Sequence, residues 1–339
     1  MEKAWKAGVA EFKAAGLDDR TARDLIALRG ETSPEAELEK VHGAGIKLVT
    51  WHDDDYPVRL KEIADPPPVL YYKGTLLPSD ERSVAVVGTR GPTSYGREAT
   101  AGLAGDLARN GIAIISGLAR GVDGVAHRAA LENRGRTIAV LANGLDIIYP
   151  REHTNLAQQV TERGAIVSEH PPGVRPDSRS FPRRNRLISG ISLGSLVVEA
   201  GEGSGARWTV YHALEQNREV FCVPGSIYSP MSRLTNRLIQ EGAKLVSNVT
   251  DILEELNLPG NGRQVPLPLP VDTDGDPEPA LLSYLNDEPQ HIDDIRRRAD
   301  IPIASVSSML TMLELKGMVR QVGCMHYVRL GEVSQIYGN

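Results

Sequence analysis

Six short apolar runs, rich in β-branched residues, constrain this chain more than any other feature. They occupy residues 83–88 (SVAVVG), 112–117 (IAIISG), 137–142 (TIAVLA), 165–169 (AIVSE), 195–200 (SLVVEA) and 219–225 (EVFCVPG), and their starts lie 29, 25, 28, 30 and 24 residues apart. Stretches compatible with helices, such as 97–110 and 208–217, fill the gaps. A strand that is apolar at every position is buried on both faces, and strands of that kind alternating with helices form a parallel sheet covered on both sides. The expected fold is therefore α/β: an extended Rossmann-like, doubly wound domain over residues 56–256.

The flanks have a different texture. Residues 1–55 read as a small N-terminal helical (SAM-like) domain. Asp18 or Asp19 is a plausible N-cap, Gly30 a helix terminator, and Ser33-Pro34 a second helix start with Pro in the first turn. Residues 257–279 are dense in Pro and Asp and read as a semi-rigid linker. Residues 280–331 carry three helix-compatible stretches (280–286, 291–298, 303–316) and a hairpin at 319–329 with Gly323 near its turn, a winged-helix pattern. Helix 303–316 is where such a module would read a groove, yet it offers Ser305, Ser307, Ser308 and Thr311 and one basic residue. A base reader places Arg, Lys, Asn or Gln there. A protein-contact or auxiliary duplex-contact module is the better expectation.

A chain of 339 residues with 41% apolar and 24% charged content is expected to be soluble and to form two or three domains. Its net charge of −6 excludes a wholly basic binder, so any nucleic-acid contact must come from a patch. Residues 175–188 (RPDSRSFPRRNRLI) supply one, with five Arg against one Asp. Arginine suits bidentate recognition of phosphate, and Phe181, one of three Phe in the chain, could stack a base. An ordinary helix start with solvated arginines is the alternative. Cys222 and Cys324 stand apart from any metal-ligand spacing, which points to reduced, partly buried thiols. The N-terminus has no secretory h-region and no apolar run is long enough for a membrane helix, so a cytoplasmic protein is expected.

Ligands of open parallel sheets bind beyond the carboxyl ends of the strands. Here those ends carry Gly88-Thr89-Arg90-Gly91-Pro92, the 116–123 segment, the 143–151 segment and Gly201-Glu202-Gly203-Ser204-Gly205-Ala206-Arg207. Glycines there let backbone N–H groups approach an anion. Arg90, Arg120 and Arg207, with Arg183 and Arg184, would line one crevice. Neither G-x-G-x-x-G after a first strand nor a P-loop is present, so a phosphate-rich ligand is expected without a nucleotide cofactor. Catalytic groupings are thin, and no metal site is expected. Asp123 and His127 share a helix face, and the structural reading has Asp123 capping its helix and His127 packing on the sheet. Glu199 is expected to anchor an arginine such as Arg186, itself expected to be buried, rather than act as a base.

At residues 116–127 (SGLARGVDGVAH) and 181–190 (FPRRNRLISG) the chain resembles the DNA-processing protein A family, also called Smf. Tyr56-Pro57, the 65–71 segment (DPPPVLY), Val87-Gly88-Thr89-Arg90, Tyr95-Gly96, Ser168-Glu169, Val198-Glu199-Ala200, Val223-Pro224-Gly225 and Asn236-Arg237-Leu238-Ile239 extend the resemblance over roughly residues 56–250. It implies a non-enzymatic protein that binds single-stranded DNA cooperatively as a homodimer and helps load a RecA-type recombinase in natural transformation. The family's single-strand pocket corresponds to Arg90, the Ser116-Gly117 turn, Phe181, Asn185 and the Ser204-Gly205 loop beside Gly203. Three departures bear on the fine shape of that pocket: Leu234 where a Gly is common, Ala206-Arg207-Trp208 in place of smaller, more apolar residues, and Ser178-Arg179 where Lys is common. The rival is a nucleotide-processing hydrolase similar to the lysine-decarboxylase-like phosphoribohydrolases. Their Pro-Gly-Gly-x-Gly-Thr-x-x-Glu loop has no counterpart at 199–205, which lacks the terminal Thr-x-x-Glu.

Overall fold

The computed structural model describes residues 5–259, 281–286, 288–299, 301–322 and 325–330. Most of the expected linker, Gly323 and Cys324 lie outside the described residues. The chain divides into two units, Met1–Gly262 and Arg263–Asn339.

The first unit is organised by a nine-stranded sheet of order β1-β2-β6-β5-β4-β3-β7-β8-β9. The six expected runs form β3 (Ser83–Val87), β4 (Ala113–Ser116), β5 (Thr137–Val140), β6 (Ala165–Ser168), β7 (Gly194–Val197) and β8 (Glu219–Cys222). These six and β9 (Lys244–Leu245) are parallel. Along β3, Val84 and Val86 enter one core and Ala85 and Val87 the other. That two-residue alternation, with both faces buried, is why the run is apolar throughout. One face is covered by α4 (Ser94–Arg109) and α5 (Val122–Glu132), through Leu103, Leu107, Val122 and Ala126. The other is covered by α7 (Ser180–Ile191) and α8 (Ala206–Glu215), through Leu187, Ile188, Ile191 and Val210. Between them in sequence, α6 (Thr154–Arg163) packs Leu156, Ala157 and Val160 against Ala139 and Ile166.

The N-terminal segment is helical only in part. Helices α1 (Val9–Ala14), α2 (Asp19–Glu31) and α3 (Pro34–Gly43) form as expected. Asp18, rather than Asp19, accepts the N–H groups of Arg20 and Thr21, and Ser33 accepts that of Ala36. Gly30 does not end α2, which runs one residue further to a Thr32 cap. Residues 47–50 then leave the helical segment altogether. They form β1 (Lys47–Thr50), which pairs antiparallel with β2 (Val69–Gly74), and β2 pairs antiparallel with β6. The sheet thus begins before residue 56.

The second unit is a winged helix. β10 (Gln290–His291), α11 (Ile292–Ala299), α12 (Ile303–Leu315), β11 (Val319–Gln321) and β12 (His326–Arg329) surround a core that includes Leu281, Ile295, Val306, Leu310, Leu313 and Tyr327. Its three-stranded sheet has the order β10-β12-β11.

Candidate single-strand site at the sheet switch point

From β3 the strand order runs outward through β4, β5 and β6 on one side and through β7, β8 and β9 on the other. The loops that leave β3 and β7 must therefore part in opposite directions, which opens a crevice beyond their carboxyl ends. A cleft of about 870 Å³ occupies that place. Gly88, Thr89 and Arg90 line it from the β3 side, Gly201, Gly203, Ser204 and Gly205 from the β7 side, and Tyr149, Phe181 and Asn185 from above.

The rim carries cations and rings. The Arg90 guanidinium sits 5.5 Å from the centroid of the Phe181 ring, and the Tyr149 ring lies tilted against Phe181 at 5.7 Å. Arg90 and Tyr149 are exposed and Phe181 is half-buried, whereas Arg183 and Arg207, also exposed, are not among the residues that line the cleft. Asn185 donates to the Gly205 carbonyl at 3.4 Å, which ties the second turn of α7 to the N-cap of α8. The N-cap residues of these helices, Arg179 and Gly205, place no side-chain acceptor on the first turn. Helix starts of this kind favour an anion. Glycine is required nearby at Gly121, where φ is +76° and a Cβ would come within 2.4 Å of the Thr89 carbonyl.

The floor is built from residues that the sequence suggested as ligands. Arg184 is 4% exposed. It donates to the carbonyls of Gly117, at 2.9 Å, and Val140, and to the Asn185 side chain. Burial pushes its guanidinium down to about 10, and the neighbouring Asp123 partly offsets this. Arg184 thus lines the cleft with little exposed surface, and its Nη1 and Nε are committed to partners within the protein. Gly117 makes room for it, since a Cβ there would meet the guanidinium carbon at 2.7 Å. Ser116 is fully buried and donates to the Val86 carbonyl at 2.6 Å. The Ser116-Gly117 turn thus supports the floor and is absent from the cleft lining.

Three further expectations are corrected. Asp123 does not cap its own helix, whose N-cap is Gly121. Its carboxylate instead accepts the N–H groups of Gly117 and Ala119, at 3.1 and 3.3 Å, and so braces the preceding loop. Burial raises its pKa against the opposing pull of Arg184 and those two N–H groups. Arg120 does not face the crevice; its guanidinium forks onto Glu152, with one bond of 2.8 Å. Glu199 does not anchor Arg186. It accepts the N–H and O–H of Thr93, at 2.8 and 2.7 Å, at the N-terminus of α4, where a carboxylate is favoured by the helix dipole. Gly96 lets that helix close on Glu199, because a Cβ would sit 2.0 Å from the carboxylate.

Arg186 is buried and pairs with Glu169 at 2.5 Å and with Asp65 at 3.5 Å. His127 is fully buried against Thr137 at 2.6 Å, and burial pushes its pKa to about 3, so the ring is neutral. Cys222 is buried, and burial pushes its thiol up to about 12. Among the described residues no group of three His, Cys, Asp or Glu could hold a metal ion, and no helix is long and apolar enough to cross a membrane. Two aromatic lining residues were not foreseen as ligands. Tyr149 belongs to a segment read only as a loop, and Trp208 was visible only as a bulky residue after Ser204-Gly205.

These features define a class: a Rossmann-like anion binder with aromatic rings on the rim of its switch-point cleft and a winged helix further along the chain. Residues 47–257, which begin at β1, match the family described as DNA recombination-mediator protein A, and residues 265–323 match the DprA winged helix domain. The chain belongs to the DNA recombination-mediator protein A family. It is 43% identical over 263 residues to DNA processing protein DprA of Bacillus subtilis, covering 75% of this chain and 89% of that protein. It is 42% identical over 325 residues to protein Smf of Escherichia coli, covering 94% and 86%. The structure of DprA from Streptococcus pneumoniae matches with a TM-score of 0.64 at 40% identity, over 68% of this chain and 81% of that one. DNA processing protein A from Helicobacter pylori, solved for insight into its single-stranded DNA binding mode, matches with a TM-score of 0.57 at 31% identity, over 63% and 97%.

Proposed function

We propose that this chain binds single-stranded DNA in the switch-point cleft and acts as a recombination mediator in the cytoplasm, without catalytic turnover. In this reading it works as a homodimer and hands the strand to a RecA-type recombinase during natural transformation. The observation that carries the reading is the Arg90–Phe181–Tyr149 cluster at the mouth of the cleft. Flat rings accept unpaired bases of any sequence, and adjacent guanidinium groups and helix N-termini hold the phosphates between them. A duplex keeps its bases stacked inside and cannot offer them to a ring. The Helicobacter pylori relative, described by its single-stranded DNA binding mode, supports the same assignment. The commitment of Glu199 to Thr93 weighs against the hydrolase alternative, because the acid at that strand end already has a structural partner.

The test is fluorescence anisotropy of the full chain with a labelled oligo-dT strand and with a duplex of equal length, each titrated across salt. Preferential binding of the single strand, weakening as salt rises, is the expected result. Equal, weak binding of both forms would count against the reading.

A further inference from the structure

The cleft has a second aromatic wall. Trp208 stands in the first turn of α8, lines the cleft and is 40% exposed. The Arg207 guanidinium lies 5.1 Å from its ring centroid, and Tyr211 meets it edge-on at 6.4 Å. This repeats the arrangement of Arg90 over Phe181 at 5.5 Å. In both cases an exposed arginine is paired with a ring in the first turn of a helix that starts at the cleft. Asn185, in the second turn of α7, donates to the carbonyl of Gly205, the N-cap of α8. The core does not call for the indole, since α8 packs inward through Ala206, Thr209, Val210 and Ala213. An exposed tryptophan alone is ordinary; one that lines a cleft under its own guanidinium, where a second arginine–ring pair also lines the cleft, has the parts of a base platform.

We propose that Trp208, held by Arg207, is a second stacking platform for single-stranded DNA, so that the bound strand runs from Phe181 to Trp208. A base rests on each ring, and the phosphates between them face Arg90, Arg207 and the 203–205 loop. The inference rests on the cleft being the single-strand site and adds the direction of the strand across it. Because indole stacks every base, the platform adds affinity without sequence preference.

Tryptophan emission reads the contact directly. The chain has three Trp, at positions 5, 51 and 208. Trp5 and Trp51 are each 43% exposed, so the Trp5→Phe/Trp51→Phe chain leaves Trp208 as the sole reporter. Titration with unlabelled oligo-dT should quench its emission in step with the anisotropy of the labelled strand. In the otherwise unaltered chain, Trp208→Ala should weaken oligo-dT binding by about 5- to 150-fold, the range of one lost stack. Trp208→Phe should recover most of that loss, and the melting temperature should stay at the parent value. Unquenched emission at saturation, or a Trp208→Ala chain that binds as the parent does while Phe181→Ala binds less tightly, overturns the platform and leaves the cleft assignment standing. A parent chain that does not bind oligo-dT overturns both.

Discussion

The rim and the floor of the cleft are built from the same residue type and do opposite work. Arg183 and Arg184 are neighbours in sequence, yet the first is exposed and the second is 4% exposed with its Nη1 bonded to the carbonyls of Gly117 and Val140. Two positions on, Arg186 is again buried, paired with Glu169. Leaving a buried charge wholly unpaired is costly, and both guanidinium groups meet partners within the protein, although Nη1 of Arg186 has none. A solvated one on the rim keeps its donors for phosphate. The basic segment therefore divides into cations committed to partners within the fold and cations left in solvent. Counting arginines in the sequence cannot separate the two.

Variants can break that division. The largest effect is expected at the buried ion pair. Arg186→Ala leaves Glu169 without its partner and should cost about 3–5 kcal/mol of stability; a thermal melt at the parent temperature would contradict this. Next comes the rim, where Phe181→Ala should weaken single-strand binding by ~1–3 kcal/mol with an unchanged melt, and unaltered affinity would remove Phe181 from the site. Arg183→Ala should have a smaller signature. If Arg183 contacts one phosphate, the slope of log affinity against log salt should drop by ~0.7. A parallel shift with the slope kept would instead indicate a structural role for Arg183.

The winged helix sharpens the comparison from outside. Between Ile303 and Leu315, α12 carries no Arg or Lys. Its exposed residues include Ile303, Met312 and Leu315, the last 80% exposed. Such a helix resembles a protein-contact surface more than the rim of the cleft. Removing residues 276–339 should leave single-strand affinity where it was, the smallest effect of the set, and a tenfold loss would assign the strand to the winged helix.

The central sheet was legible because burial on both faces leaves an unbroken apolar run, and each of the six runs became a strand. The position of the cleft followed from the glycine-rich strand ends and the switch-point rule. Strands β1, β2 and β9 gave no such signal. β9 is two residues long, and β1 and β2, the antiparallel part of the sheet, are mostly half-buried with a single buried position each. The partners of charged residues were not legible either. Glu199 meets Thr93 across 106 positions, and Arg120 meets Glu152 across 32, pairings that only the folded chain creates. Asp123 shows the same limit at short range. Its position in the first turn suggested a helix cap, but the path of the loop before it brought the N–H groups of Gly117 and Ala119 to its carboxylate.

The most direct test of the central claim, that the rim of the switch-point cleft is the single-strand site, is photo-crosslinking of the full chain to oligonucleotides carrying 5-iododeoxyuridine, with the attached residues identified by mass spectrometry. The account predicts adducts at Phe181 and Tyr149. Adducts confined to residues outside the cleft, such as those of the winged helix, would contradict it.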